Sequence, residues 1–484
     1  MANAPHVPVH LGSMAYAVKY QHQQHGSTLK PGDVLVANHP LSGGTHLPDI
    51  TVITPVFDES GDIVFYTASR GHHRDIGGFE GISGNANATS LHQEGASIIS
   101  FKLVSGGIFD EEGITKILVD EPAQNAGCVG TRSLSDNLSD LKAQIAANAK
   151  GASLIQDLIL EYGRQTVQFY MSAIQANAEI AVRRFMRQLY EQIGDKPLQA
   201  VDYLDNGTRI AITIRVRKDG SADFDFTGTG PECLGNNNAP PSICLSAIIY
   251  SIRCLINEEI PLNQGCLSSI NVINPRGSVL NPSYHAAVYA GNTQTSQRIV
   301  DVILKAFSAC AASHGCMNSV GFFGGRETTP GSGYKFAYGE TICGGAGAGP
   351  TWHGASAVHV HMTNTRISDV EVLEKRYPII LREFSIRRGT GGGGQFWGGD
   401  GVKRVIECRD SLTFSMISER RVSRPYGMNG GEEGCEGQNL VKRIEADGAR
   451  IVNLGPRGVV KLKAGEQFII HTPSGGGWGS LANL

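Results

Sequence analysis

The sequence predicts an α+β fold of several merged units: a β-rich N-terminal part, a central helical segment, a mixed α/β middle and a Gly-rich β C-terminal part. Three observations carry this. Short apolar stretches separated by turn residues fill 33–69, as strands of a meander do. From Ser135, apolar residues recur at spacings of three and four over roughly 55 residues, the helical period. Beyond residue 370 short strand patterns return between glycine clusters; glycine totals 61 of 484 residues, about twice the usual share of roughly 7%. At this length a single core has stopped growing, so roughly two to four units are expected.

Within residues 1–134, Val34 to Ala37 and Ile50 to Phe57 read as strands flanking a loop that holds Pro40, Gly43, Gly44 and Pro48. "DESGD" at 58–62 is a turn, "IVFYTAS" at 63–69 is a third strand running into His72, and "EGASIISFKLVSGGIF" continues the meander. Residues 135–192 read as two or three helices, with Ser135 or Asp136 as N-cap and joints at Gly151 and Gly163. No a/d heptad persists, which argues against a coiled coil. In 193–370, "RIAITIRVRKDGSADFDF" is a hairpin turned at Asp219-Gly220, a helix runs from about Ser242 to Leu255, and "YHAAVYAGNTQTSQRIVDVILKAFSAC" reads as strand, glycine turn and a helix starting near Thr293. Residues 371–484 are short strands with glycine turns.

Composition removes several function classes. Forty-two Lys and Arg against 45 Asp and Glu give a net charge of −3, so no basic field attracts nucleic acid. No run of 18 apolar residues suggests a membrane span, and "MANAPHVPVHLG" has no secretory character. The ten cysteines form no CxxC pair, which fits reduced thiols and a cytoplasmic location.

The chemistry-bearing residues crowd into "NHPLSGGTHLPD" (38–49) and "SRGHHRDIGG" (69–78). His46, Asp49, His72, His73 and Asp75 form a His/carboxylate set that suits a divalent ion such as Zn, Mn or Fe rather than a thiolate-loving one. A hydrogen-bonded loop whose histidines cap strand ends is the competing reading, and spacing alone leaves both open. In a strand His72 and His73 face opposite sides, so at most one of them is a ligand. His39 is a further, weaker candidate.

Other motifs read as structural. The GTG of "TGTGPECLGNNNAPPS" (227–242) and the glycines of 385–401 read as turns, and the P-loop pattern is absent, so the chain itself gives no sign of binding ATP. Arg420, Arg421 and Arg424 read as salt-bridged structure. His359 and His361, alternating along an apparent strand, read as packed or interfacial.

Several long stretches, in order, resemble the hydantoinase B/oxoprolinase family: "GDVLVANHPLSGGTHLPDITVITPVF", "ASRGHHRDIGG", "SLHQEGASIISFKLV", "GTRSLSDNLSDLKAQIAANAKG" and "HMTNTRISDVEVLEKRYPIILREFSIRRGTGG". The likeness runs from about Ala2 to Gly479 and is closest to the C-terminal half of the eukaryotic ATP-dependent oxoprolinase branch. It implies a hydantoinase B-like fold and a divalent metal on His46, Asp49 and His72, with His73 as the alternate ring. It also implies ATP-dependent opening of a cyclic amide, 5-oxo-L-proline to L-glutamate, in glutathione metabolism. ATP would be used by a separate hydantoinase A-type partner, and an oligomer is expected. Phosphorylation turns a poor amide electrophile into a good one, water acidified by the metal attacks, and Asp75 is the expected proton acceptor. A hydantoinase- or carboxylase-type subunit, or a non-catalytic fragment that binds the A-type partner, are the alternatives. Family members usually begin a few dozen residues earlier, in an acidic segment resembling "ERxDFSxxLFD", so a further acidic ligand is expected upstream of Met1. "NHP" also stands where bacterial members commonly have "NDP".

Overall fold

The computed structural model describes residues 7–80, 84–326 and 334–480. Helix α1 (Ser13–His25) precedes strands β1 (Val34–Ala37), β2 (Asp49–Phe57), β3 (Ile63–His72), β4 (Phe101–Ser105) and β5 (Ile108–Phe109). These form a sheet in the order β3-β2-β1-β4-β5, antiparallel throughout. Strand alternation sorts its side chains. Val36, Ile50 and Val52 face Leu141, whereas Leu35 and Ile53 face Ala17 of α1.

Two long helices follow, α2 (Leu134–Tyr162) and α3 (Arg164–Ile193), joined at Gly163, whose φ of 81° is the left-handed region that favours glycine. Gly151 is not a joint but an interior residue of α2. A Cβ there would touch Thr67 at 3.4 Å, so it marks where the helix lies close on the sheet. Gln144 and Asn148 of α2 reach the β2 carbonyls of Ile50 and Val52, both at 3.0 Å. The distal ends of the pair leave large apolar side chains uncovered, among them Leu160 (84% exposed) and Phe169 (67%).

Strands β6 (Leu198–Tyr203), β7 (Arg209–Val216) and β8 (Ala222–Asp225) lead to α4 (Pro241–Leu255) and β9 (Ile270–Ile273). The sheet order β9-β8-β7-β6 includes the expected hairpin at Asp219-Gly220. Its inner face, Ile210, Ile212, Ile214 and Phe224, shares a core with α4 and with α5 (Ser296–Ala306). The strand expected at 284–291 does not form. Tyr289 and Ala290 already turn as helix, Gly291–Thr295 is π-helical, and α5 continues directly from it.

Two further antiparallel sheets follow, the first of which takes two strands from within 193–370. One orders Tyr334–Glu340, Ser319–Arg326, Leu412–Ile417 and Arg457–Leu462; the other orders Ile379–Ile386, Val402–Cys408, Gln467–His471, Gln438–Glu445 and Gly448–Asn453. Phe414 of the first stacks on Phe468 of the second, ring centroids 4.8 Å apart. Glycine abundance here has a packing cause. A Cβ on Gly475 would lie 1.8 Å from the Ala346 carbonyl oxygen, and one on Gly399 2.0 Å from that of Ala355. No helix of the described residues is long and apolar enough to cross a membrane, and all ten cysteines are unpaired.

Candidate metal centre

The site is built at the open end of the β2–β3 pair. Asp49 begins β2, His72 ends β3, and the two are directly opposed in register. Opposed residues share a face, so the His72 ring meets the carboxylate, with Nδ1 3.0 Å from Oδ1. His46 arrives from the loop ahead of β2, its Nδ1 2.7 Å from Asp49 Oδ2. That loop must fold tightly. Gly43 has φ 88°, and a Cβ on Gly44 would fall 1.8 Å from the Asn38 carbonyl oxygen. Asn38 clamps the loop from within, donating to Leu47 O at 2.7 Å and Ala96 O at 2.9 Å, and accepting from Ile98 N–H at 2.6 Å.

One donor atom from each of His46, Asp49 and His72 lies within 4.8 Å of the others. His46 and Asp49 are buried, whereas the His72 side chain is 55% exposed. The triad therefore has a closed floor and one side chain facing solvent. Burial pushes His46 below its ordinary pKa, which leaves a neutral imidazole. Burial alone would raise the Asp49 carboxyl, but the His46 and His10 rings and the hydrogen bonds from His46 and His72 outweigh it and hold Asp49 well below the usual range. A neutral His46 imidazole beside an ionised Asp49 carboxylate matches the protonation states a metal requires of its ligands.

Around the triad stand residues that sequence reading does not single out. Thr45 Oγ1 donates to Asp49 Oδ2 at 2.9 Å, Asn292 Nδ2 does so at 3.3 Å, and His10 Nε2 lies 3.3 Å from the same oxygen. The Tyr289 ring sits 5.1 Å from that of His46. Arg70 donates to Thr51 Oγ1 at 2.7 Å and to Gly43 O at 3.1 Å, and also bonds Ser13. Arg70 had a signal, because it lies two residues before His72 and so on the same strand face. His10 and Asn292 had none, since they come from segments 39 residues before and 243 residues after Asp49.

The remaining candidates go elsewhere. His73 points away from Asp49 into the α2 contact, its Nε2 3.1 Å from Gln144 Oε1 and its Nδ1 3.2 Å from Asn137 Nδ2. Asp75, expected to accept a proton, is instead buried against Arg132, with Nε at 2.7 Å, and accepts from Gly77 N–H at 2.9 Å. The Arg132 pairing occupies its Oδ2. His39 Nδ1 accepts the Leu41 N–H at 2.9 Å and caps a turn. His359 and His361 do not lie on a strand, the backbone there pairing only as a bridge at Val358. His361 contacts Asp301 at 3.2 Å. Arg420 is buried on Asp202 and Asp301, and Arg424 pairs with Glu436.

The sequence matches the hydantoinase B/oxoprolinase family over residues 1–481. It is 51% identical to 5-oxoprolinase PfmaA of Pestalotiopsis fici, covering 99% of this chain and 37% of that protein. Against the 5-oxoprolinase of Dictyostelium discoideum identity is 50%, covering 100% of this chain and 37% of the relative. The chain thus spans less than two fifths of the length of these relatives. The ATP-dependent caprolactamase of Pseudomonas jessenii has the same fold, with a TM-score of 0.84 at 22% identity over 99% of this chain and 83% of that one.

Proposed function

Because the chain belongs to the hydantoinase B/oxoprolinase family, we propose that it is the metal-bearing half of an ATP-dependent cyclic-amide hydrolase. The reaction would open 5-oxo-L-proline to L-glutamate, as part of glutathione turnover in the cytoplasm. The ATP-using half is a hydantoinase A-type partner. The observation that carries this reading is the convergence of His46 and His72 on Asp49, in a chain about half identical to proteins named 5-oxoprolinase. The sequence has no P-loop pattern of its own, which supports placing ATP use elsewhere.

The donor set fits a borderline or hard divalent ion, Zn, Mn or Fe, because two imidazoles and one carboxylate leave coordination positions open for substrate or water. His46, Asp49 and His72 would hold it. When bound, such an ion polarises an oxygen as a Lewis acid and makes water a stronger acid at neutral pH. The protein's own contribution is orientation. Thr45, Asn292 and His10 fix Asp49 Oδ2, so the carboxylate presents Oδ1 and its remaining lone pairs toward the exposed His72 side. Two waters balance the reaction: one adds across the ring C–N bond, its oxygen going to the carbonyl carbon and a proton to the nitrogen, and the other releases the phosphoryl group as inorganic phosphate, giving the carboxylate and amine of glutamate. Activation of the amide oxygen by the partner makes that carbon electrophilic enough to be attacked. The uncovered Leu160 and Phe169 on the α2–α3 pair support association with another chain.

The test is glutamate release from 5-oxoproline with ATP, with and without an A-type partner. Release only with both partner and ATP supports the reading. Turnover by this chain alone without ATP overturns the division of labour.

A further inference from the structure

Tyr289 and Asn292, which touch the triad, ride on the first turn of a helix that runs continuously from Tyr289 to Ala306 through its π-helical segment. The first N–H groups of a helix lack partners within it. Here the N–H of Tyr289 and that of Val288 just before it are satisfied by Glu94, a fully enclosed side chain 194 residues from Val288. Both its oxygens accept the Val288 N–H at 3.0 Å, and Oε1 accepts the Tyr289 N–H at 2.8 Å. A carboxylate suits the positive end of a helix, yet burying one is costly, and burial pushes the Glu94 carboxyl up to about 8. What a carboxyl group with two oxygens adds, in either protonation state, is a fixed backbone position for two successive residues. Tyr289 is gripped from the other side as well, since a Cβ on Gly84 would lie 2.3 Å from its ring.

We propose that Glu94 is a positioning residue of the metal centre: by holding the Val288–Tyr289 backbone it sets Tyr289 against His46 and Asn292 on Asp49. This rests on the metal reading of the triad.

The test compares zinc and manganese affinity by titration calorimetry in the wild-type chain, Glu94→Gln, Asn292→Ala and the double variant, with circular dichroism checking the fold. Second-sphere changes typically weaken metal binding by about 10–100-fold. Glu94→Gln is expected to weaken it about tenfold with unchanged helix content, and on the Asn292→Ala background to weaken it markedly less. Non-additivity of that kind identifies residues acting through one another. If Glu94→Gln does not fold, Glu94→Asp keeps the carboxyl group but withdraws it from the N–H groups, and serves the same comparison. Wild-type affinity in the folded Glu94 variant, or losses that simply multiply, would overturn the proposal while leaving the metal reading intact. A wild-type chain that takes up neither metal overturns both.

Discussion

His72 and His73 are adjacent in sequence and opposite in role, and two substitutions separate them. His72 is exposed and contacts Asp49, so His72→Ala is expected to lower metal occupancy while shifting stability by no more than about 0.5 kcal/mol. His73 is buried between Gln144 and Asn137. His73→Ala strands Gln144 Oε1, while Asn137 Nδ2 keeps the Asp75 carbonyl, so a loss of about 1–3 kcal/mol in urea unfolding is expected with metal occupancy retained. The reverse pattern would exchange their assignments. Strand alternation made this split readable from sequence, because the neighbours had to face opposite ways. Alternation does not say which of the two meets Asp49. The cross-strand pairing of Asp49 with His72 decides that, and pairing is a tertiary fact.

At the scale of elements, the loop carrying His46 depends on two glycines for different reasons. Gly43 needs its positive φ, whereas Gly44 needs the absence of a Cβ that would overlap the Asn38 carbonyl. Gly44→Ala is therefore expected to cost about 3 kcal/mol or more, seen as a lowered urea midpoint. A midpoint within error of wild type would contradict that packing. The strands and the α2–α3 pair were readable because their apolar periods are long and regular. The segment 284–291 misled for a physical reason. Ala286, Val288 and Ala290 alternate as a strand would and are all buried, but their surroundings are a helix start. Glu94, which caps it, lies too far along the chain for any local pattern to reveal it. The uncovered α2–α3 tip predicts self- or partner-association, and sedimentation of a Leu160→Lys, Phe169→Lys variant should show a smaller species than wild type.

Over the whole molecule, buried polar groups couple distant segments and set the response to pH. Arg298 and Arg420, both enclosed, share Asp202 across nearly a hundred residues or more. The salt-bridged role of Arg420 was legible in sequence, but its partners Asp202 and Asp301, 218 and 119 residues away, were not. His314 is similarly enclosed. Burial pushes it down to about 3, outweighing its hydrogen bond to the Gly345 carbonyl. An unfolded histidine takes up its proton near pH 6.5. Below that pH the unfolded chain binds a proton that the folded chain does not, so stability present above about pH 6.5 falls as pH drops toward about 3. The slope expected from this one group is about 1.4 kcal/mol per pH unit, and His314→Asn should remove that share between pH 6 and 5 in urea titrations. An unchanged slope would contradict it.

The central claim, that two histidines and Asp49 bind a divalent ion, is tested most directly by elemental analysis of the purified chain beside His46→Ala and Asp49→Ala. A metal bound near one equivalent in wild type and sharply reduced in both folded variants is the predicted result. Equal metal content in all three, whether high or near zero, would contradict it.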